Sequence, residues 1–188
     1  DLIFCLLAQE ELVGAPVRIV AEAGGVSVGA AHRALQDLRD EGFLRQTSSL
    51  HLHDRARLAD LWLAGYATTL APRLDERWFV GPALDWWTSH RQELDGQIGG
   101  EAALSLSGTS LRNPSHVTIY GTPPWLDLRR NARLRPITND PPTVLLRERF
   151  WDPHLVKDRG PVPPLLVFAD AQRSRDSRVR EAAQELWD

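Results

Sequence analysis

Methionine is absent from this sequence, cysteine and lysine occur once each, and no apolar run is long. Each scarcity excludes something. A single cysteine, Cys5, cannot build an internal disulfide framework. It lies in the apolar helical run Leu2–Leu7 and reads as a small buried hydrophobe. No hydrophobic stretch approaches the roughly 20 residues that span a bilayer as a helix. Leu2–Leu7 is also too short for a secretory signal and lacks its basic lead-in. A cytoplasmic protein with no membrane partner is expected. The lack of methionine, position 1 included, fits a trimmed chain or one whose modified methionines go unrecorded. In the second case some helical spacings shift by one.

Positive charge is scarce as well. The formal net charge is −3, which argues against non-specific nucleic-acid binding. Residues 1–53 carry only Arg18, Arg33, Arg39 and Arg45 against seven acids, and residues 54–188 balance to zero. Any contact with DNA must therefore come from sorting charge onto one face. Arginine outnumbers lysine by 21 to 1, which suits forked contacts to phosphate.

What is present is enough for two cores: 188 residues, 43% of them hydrophobic. The expected fold class is α+β, with an N-terminal winged helix-turn-helix at 1–53, connector helices at 54–94 and a larger α+β domain at 95–188. Leu2–Leu12 is read as a helix broken by Gly14-Ala15-Pro16, and Val17–Ala23 as a second helix closed by Gly24-Gly25. Ser27 caps a third helix that runs to Asp40 and stops at Gly42. Two short strands, 43–45 and 50–52, flank a polar tip at Gln46-Thr47-Ser48-Ser49. A long helix is expected over 55–74, a strand over 77–80, and a helix over 83–94. Beyond them come a short helix at 101–106, strands at 116–120 and 143–146, and a helix at 125–134. Residues 152–164 read as a loop, Leu165–Asp170 as an apolar lead-in, and Ser177–Trp187 as the last helix.

The chemistry-bearing segment is Val17–Arg39. A helix-turn-helix needs a small residue where its helices touch, glycine at the turn, and apolar anchors on the second helix. Ala21 and Gly25 supply the first two, and Val26, Ala31, Ala34 and Leu35 are assigned to the inward face. Ser27, Val28, Gly29, His32, Arg33 and Gln36 are left facing outward. Arginine reads guanine and glutamine reads adenine through paired hydrogen bonds, and a helix N-terminus suits a phosphate. The wing residues Arg45, Gln46, Thr47, Ser48 and Ser49 are expected along the backbone or in the minor groove. The predicted partner is double-stranded DNA, with an operator of inverted repeats as one arrangement.

Other clusters carry less. His51 and His53 share a strand face at a spacing that can bind metal, yet no cysteine or acidic cluster completes a site, so no metal and no cofactor are expected. His90, His116 and His154 are isolated. Arg129, Arg130, Arg133 and Arg135 group on one helix and its exit, and Arg173, Arg175, Arg178 and Arg180 around the last helix. Either set can be solvated surface or a second phosphate-facing patch. Asp127, Glu148 and Asp170 are the nearest approach to a nuclease cluster. No strand carries paired acids followed by lysine, and Lys157 sits in the proline-rich loop, so no enzyme is expected.

Two stretches of the C-terminal half carry a resemblance. One is Gly99-Gly100-Glu101-Ala102-Ala103-Leu104, followed by Leu111–Pro114 and Val117–Tyr120. The other is Leu146–Trp151 with Pro163–Asp170 and then Ser174–Arg178 before a helix. In this order, after a winged helix, they resemble the AbiEi family of transcriptional regulators. The resemblance implies an autorepressor and antitoxin of a type IV toxin–antitoxin operon. It also implies an operon-linked nucleotidyltransferase-like toxin as partner, with direct contact left open. The alternative is a DNA-binding sensor whose C-terminal domain takes a small ligand or a protein; Trp86, Trp87, Trp125 and Trp151 are candidate pocket walls there, with core packing the favoured role.

Overall fold

Gly25 and Gly42, at the two ends of the third helix, both hold a left-handed backbone (φ +61° and +81°) that a side chain would strain. Between them the chain does what its pattern dictates. A computed structural model describes residues 2–90, 94–153 and 160–187; His154 and Lys157 lie outside them. Its class is α+β, and the chain divides into two units. The described part of the first is 2–72 with 150–153, and that of the second is 73–90, 94–149 and 160–187. The connector expected at 54–94 is thus split between the two at residue 72, and Phe150-Trp151 belongs with the first unit.

The first unit opens with α1 (Leu2–Ala8), a 3-10 turn at Glu10–Leu12, α2 (Val17–Ala23) and α3 (Val28–Asp40). The single helix expected over 2–12 is interrupted at Gln9, whose backbone is extended (φ −135°, ψ 109°). β1 (Leu44–Gln46) and β2 (Leu50–Leu52) pair antiparallel, with Arg45 opposite His51. The core collects Leu6, Val20, Leu35, Phe43 and Leu58 around an aromatic cluster. Phe4, fully buried, has Trp62, Phe150 and Trp151 at 5.1–5.3 Å between ring centroids, in tilted and edge-on packing.

The long helix expected over 55–74 changes geometry twice. α4 spans Arg55–Gly65, a π-helical stretch follows at Tyr66–Leu70, and a 3-10 turn at Ala71–Arg73. The cause is local. Gly65 favours no helix, the Thr68 hydroxyl donates back to the Ala64 carbonyl at 2.8 Å, and Pro72 has no N–H for the last turn.

The second unit is built on a four-stranded sheet in the order β3 (Glu76–Phe79), β6 (Val144–Glu148), β5 (Val117–Gly121), β4 (Gln97–Gly99). β5 and β6 run parallel; the outer pairs are antiparallel. β4 is absent from the sequence reading, and β3 begins one residue before the expected strand. The helices are α5 (Trp86–His90), α6 (Gly100–Leu106), α7 (Leu126–Asn131), α8 (Pro164–Gln172) and α9 (Ser177–Trp187). Residues 91–93 of the helix expected over 83–94 lie outside the described residues. The helix expected over 125–134 is shorter because Trp125 and Arg133 both take positive φ (56° and 52°) and close it at either end. The apolar lead-in at 165–170 is itself helical: Pro164 stands at its first turn, and buried residues run all round it.

Register decides the faces. Glu76, Arg147, Tyr120 and Gln97 lie in one row across the sheet, and Trp78, Leu145, Thr118 and Gly99 in another row on the same face. The opposite face carries Phe79, Val144, Val117, Leu146, Ile119 and Ile98, all buried. One face is therefore a hydrophobic core, and the other mixes charge with aromatic surface.

Candidate nucleic-acid interface and a polar cavity

α2 and α3 meet as a helix-turn-helix requires. Ala21 is buried, the Val26 amide donates to the Ala21 carbonyl at 3.0 Å, and that of Gly25 to Glu22 at 3.0 Å, closing the turn. Ser27 caps α3 by accepting from the Ala30 amide at 3.2 Å. Ala31 and Leu35 anchor the helix, Ala34 is half-buried, and Leu38 is a further anchor. Val26 does not serve as one: it is exposed, because it belongs to the turn and precedes the helix whose periodicity it was counted with.

The outward side chains fall where the spacing puts them. Ser27, Val28, Gly29, His32, Arg33 and Gln36 are all exposed. Arg33 leans back along the helix: a Cβ on Gly29 would stand 3.7 Å from its Nη1, so the glycine leaves the guanidinium room against the backbone. The Gln36 amide donates to Asp40 at 2.9 Å. The acids of α3, Asp37 and Asp40, are confined to its C-terminal part, and its N-terminal half carries none. The wing tip is tight, with the Thr47 amide donating to Ser49 at 3.0 Å, and Arg45 to Ser49 are exposed. The arrangement presents hydrogen-bonding groups and one forked cation on a single helix half, beside a polar hairpin.

Of the arginine group at 129–135, two members have ion pairs. Arg130 pairs with Asp127 at 2.5 Å and Arg135 with Asp140 at 3.3 Å. Arg129 is half-buried, its guanidinium 4.9 Å from the Phe79 ring centroid. Arg133 is exposed and, among the described residues, has no ion pair.

The second unit holds a cavity of about 240 Å³ on the mixed face of its sheet. Thr118, Leu145 and Arg147 form its floor with Trp78; Glu101 and Asp170 come from α6 and α8, and Arg173 from the end of α8. Arg147 is 9% exposed at its side chain and bridges Asp170 at 2.8 Å and Glu76 at 2.9 Å. The Tyr120 hydroxyl donates to Asp170 at 2.7 Å. Glu101 accepts from the Ser115 amide at 2.6 Å and faces His116 Nδ1 at 3.5 Å. The His116 ring lies 5.0 Å from that of Trp78. Burial pushes the His116 pKa below its ordinary value despite Glu101, and Arg147 adds to that push, so the ring is neutral at neutral pH.

Of this cavity the sequence reading weighs Arg173, within an arginine group, and Asp170, within an acid cluster; the cavity as a whole it does not single out. The tryptophans weighed as pocket walls take the core role favoured for them: Trp86, Trp87, Trp125 and Trp151 are all buried and do not line it. His116, read as isolated, has Glu101 and Trp78 against it. The three acids weighed as a cluster have separate partners: Asp127 has Arg130, Asp170 has Arg147, and Glu148 accepts from the Asp75 amide. Among the described residues no three histidines, cysteines or acids are placed to hold a metal ion, and no helix is long and apolar enough to cross a membrane.

Comparison with known proteins places most of the chain. Residues 51–188 match the family model AbiEi_2, described as transcriptional regulator, AbiEi antitoxin, type IV TA system. The match begins in β2, so α2 and α3 lie before it. No curated protein and no solved structure matches the chain.

Proposed function

We propose, from the premise that this chain belongs to the AbiEi family of transcriptional regulators, the antitoxins of type IV toxin–antitoxin systems, that its first unit is the DNA reader and that it represses its own operon. The N-terminal half of α3 enters the major groove of double-stranded operator DNA, with Arg33 on a base edge and Ser27 near a phosphate. Arg45 to Ser49 follow the backbone. The carrying observation is the division of α3: exposed Ser27, His32 and Arg33 at its cap and N-terminal half, acids only in the other half, where Gln36 donates to Asp40. An acidic chain can bind a polyanion when repulsive groups are kept off the contact surface. The protein works in the cytoplasm as a regulator and not as an enzyme. Its operon partner is a nucleotidyltransferase-like toxin.

The test is footprinting of the full chain on the DNA upstream of its own reading frame. The expected result is one protected site, with inverted repeats if two copies bind. Protection that is absent, or equal on unrelated DNA at 150 mM salt, removes this reading. Loss of reporter repression with the Arg33→Ala variant checks autoregulation in the same system.

A further inference from the structure

The cavity lies in the second unit, outside the proposed reading helix, and its polarity is organised. Its interior holds two carboxylates, whose oxygens can each accept more than one hydrogen bond: Asp170 accepts from Arg147 and Tyr120, and Glu101 from the Ser115 amide and hydroxyl. Asp170 and Glu101 are nearly buried, at 8% and 12% side-chain exposure, and the Thr118 hydroxyl lies beside them. One wall is aromatic: Trp78 is 38% exposed, so part of its ring is uncovered, and His116 supports it. The mouth is basic. Arg173 is exposed and, among the described residues, has no ion pair. The ligand must therefore be flat, offer N–H donors at its inner end and carry negative charge at its outer end.

We propose that this cavity is a site for a free nucleotide, whose amino-bearing base lies against Trp78 and whose phosphate sits on Arg173. The volume supports it. About 240 Å³ is below the roughly 300–1,000 Å³ of sites that enclose a drug-sized ligand, and suits one ring system with its phosphate outside. Carboxylates only accept, so they favour bases with an exocyclic amino group over uracil. Simpler ligands fit worse. A metal ion lacks its ligand set among the described residues. A small organic cation would compete with Arg147, which already sits between Glu76 and Asp170, and would pass Arg173 to enter. An inorganic anion would face the acids in the interior.

Calorimetric titration of the full chain with the four nucleoside 5′-monophosphates and the matching nucleosides tests this. Saturable binding of the adenine, guanine and cytosine monophosphates is expected, tighter than that of uridine monophosphate. Trp78→Ala should weaken binding about fivefold or more, as loss of a base–aromatic stack does, and Trp78→Phe should recover part of it. Arg173→Gln, at an exposed position, should cost the monophosphates about two- to fivefold and leave the nucleosides unchanged. Four results overturn the proposal: no saturable heat at millimolar ligand, equal binding of uridine monophosphate, wild-type affinity in both Trp78→Ala and Arg173→Gln, or binding of a short single-stranded oligonucleotide alone. If Trp78→Ala loses its cooperative melt, Trp78→Phe and Arg173→Gln decide the matter by themselves.

Discussion

Arg33 and Arg45 in the first unit and Arg147 in the second are placed in opposite ways. In the first, Arg33 and Arg45 stand exposed on a helix half and a hairpin, without ion pairs among the described residues. In the second, Arg147 is drawn into the protein between two carboxylates and a tyrosine. An exposed guanidinium contributes almost nothing to folding and remains available to a partner; a buried one is committed to the fold and shapes the space around it. The same residue type thus stands on an open surface in one unit and lines a cavity in the other.

The sharpest way to break this contrast is Arg147→Leu. Removing the cation leaves Asp170 buried without its charge partner, and a loss of about 3–5 kcal/mol is expected in urea denaturation. A loss under 1 kcal/mol would mean that water reaches the cluster freely. Arg33→Ala should do the reverse. It should leave the melting transition in place but cost about 1–3 kcal/mol of discrimination at one base pair, read by competition between operator variants. Next in size is the salt dependence of operator binding. If the second unit touches phosphate, Arg133 is the arginine of its 129–135 group with charge to spare. Arg133→Gln should then lower the log–log slope by about 0.9, while Arg130→Gln and Arg135→Gln, already paired with Asp127 and Asp140, change it less.

The smallest expected effect is on pH. The folded pKa of His116 lies below its unfolded value near 6.5, because burial resists the charge. The unfolded chain therefore binds the proton first. The contribution of His116 to stability is complete above the unfolded pKa and declines as pH falls below it. Denaturation between pH 7.5 and 5 should show that decline, and His116→Gln should make it shallower. An identical profile in the variant would show that His116 titrates as it does in water.

The helix-turn-helix was legible because its signals are local. Ser27 as cap, the Ala21–Gly25 spacing and the Asp40–Glu41–Gly42 stop each act within one turn, and α2, α3 and α9 run where their caps and periodicity put them. Where periodicity misled, the competing force was also local but of another kind. Val26 belongs to the turn and not to the helix face, and the helix expected over 55–74 gives way at Gly65 and Thr68. β4, three residues long, has no alternation to count; it becomes a strand by pairing with β5.

By itself the sequence determined the class of this protein, the bounds of α3 and the resemblance to its family, since caps, turn glycines and motif order need no distant partner. The tertiary structure alone decided which charges are spent and which are left. Arg147 meets Glu76 across 71 residues and Asp170 across 23, and Trp78 meets His116 only because β3, β6 and β5 lie side by side. Register places those side chains on one face, and a one-residue slip would have sent them all to the other.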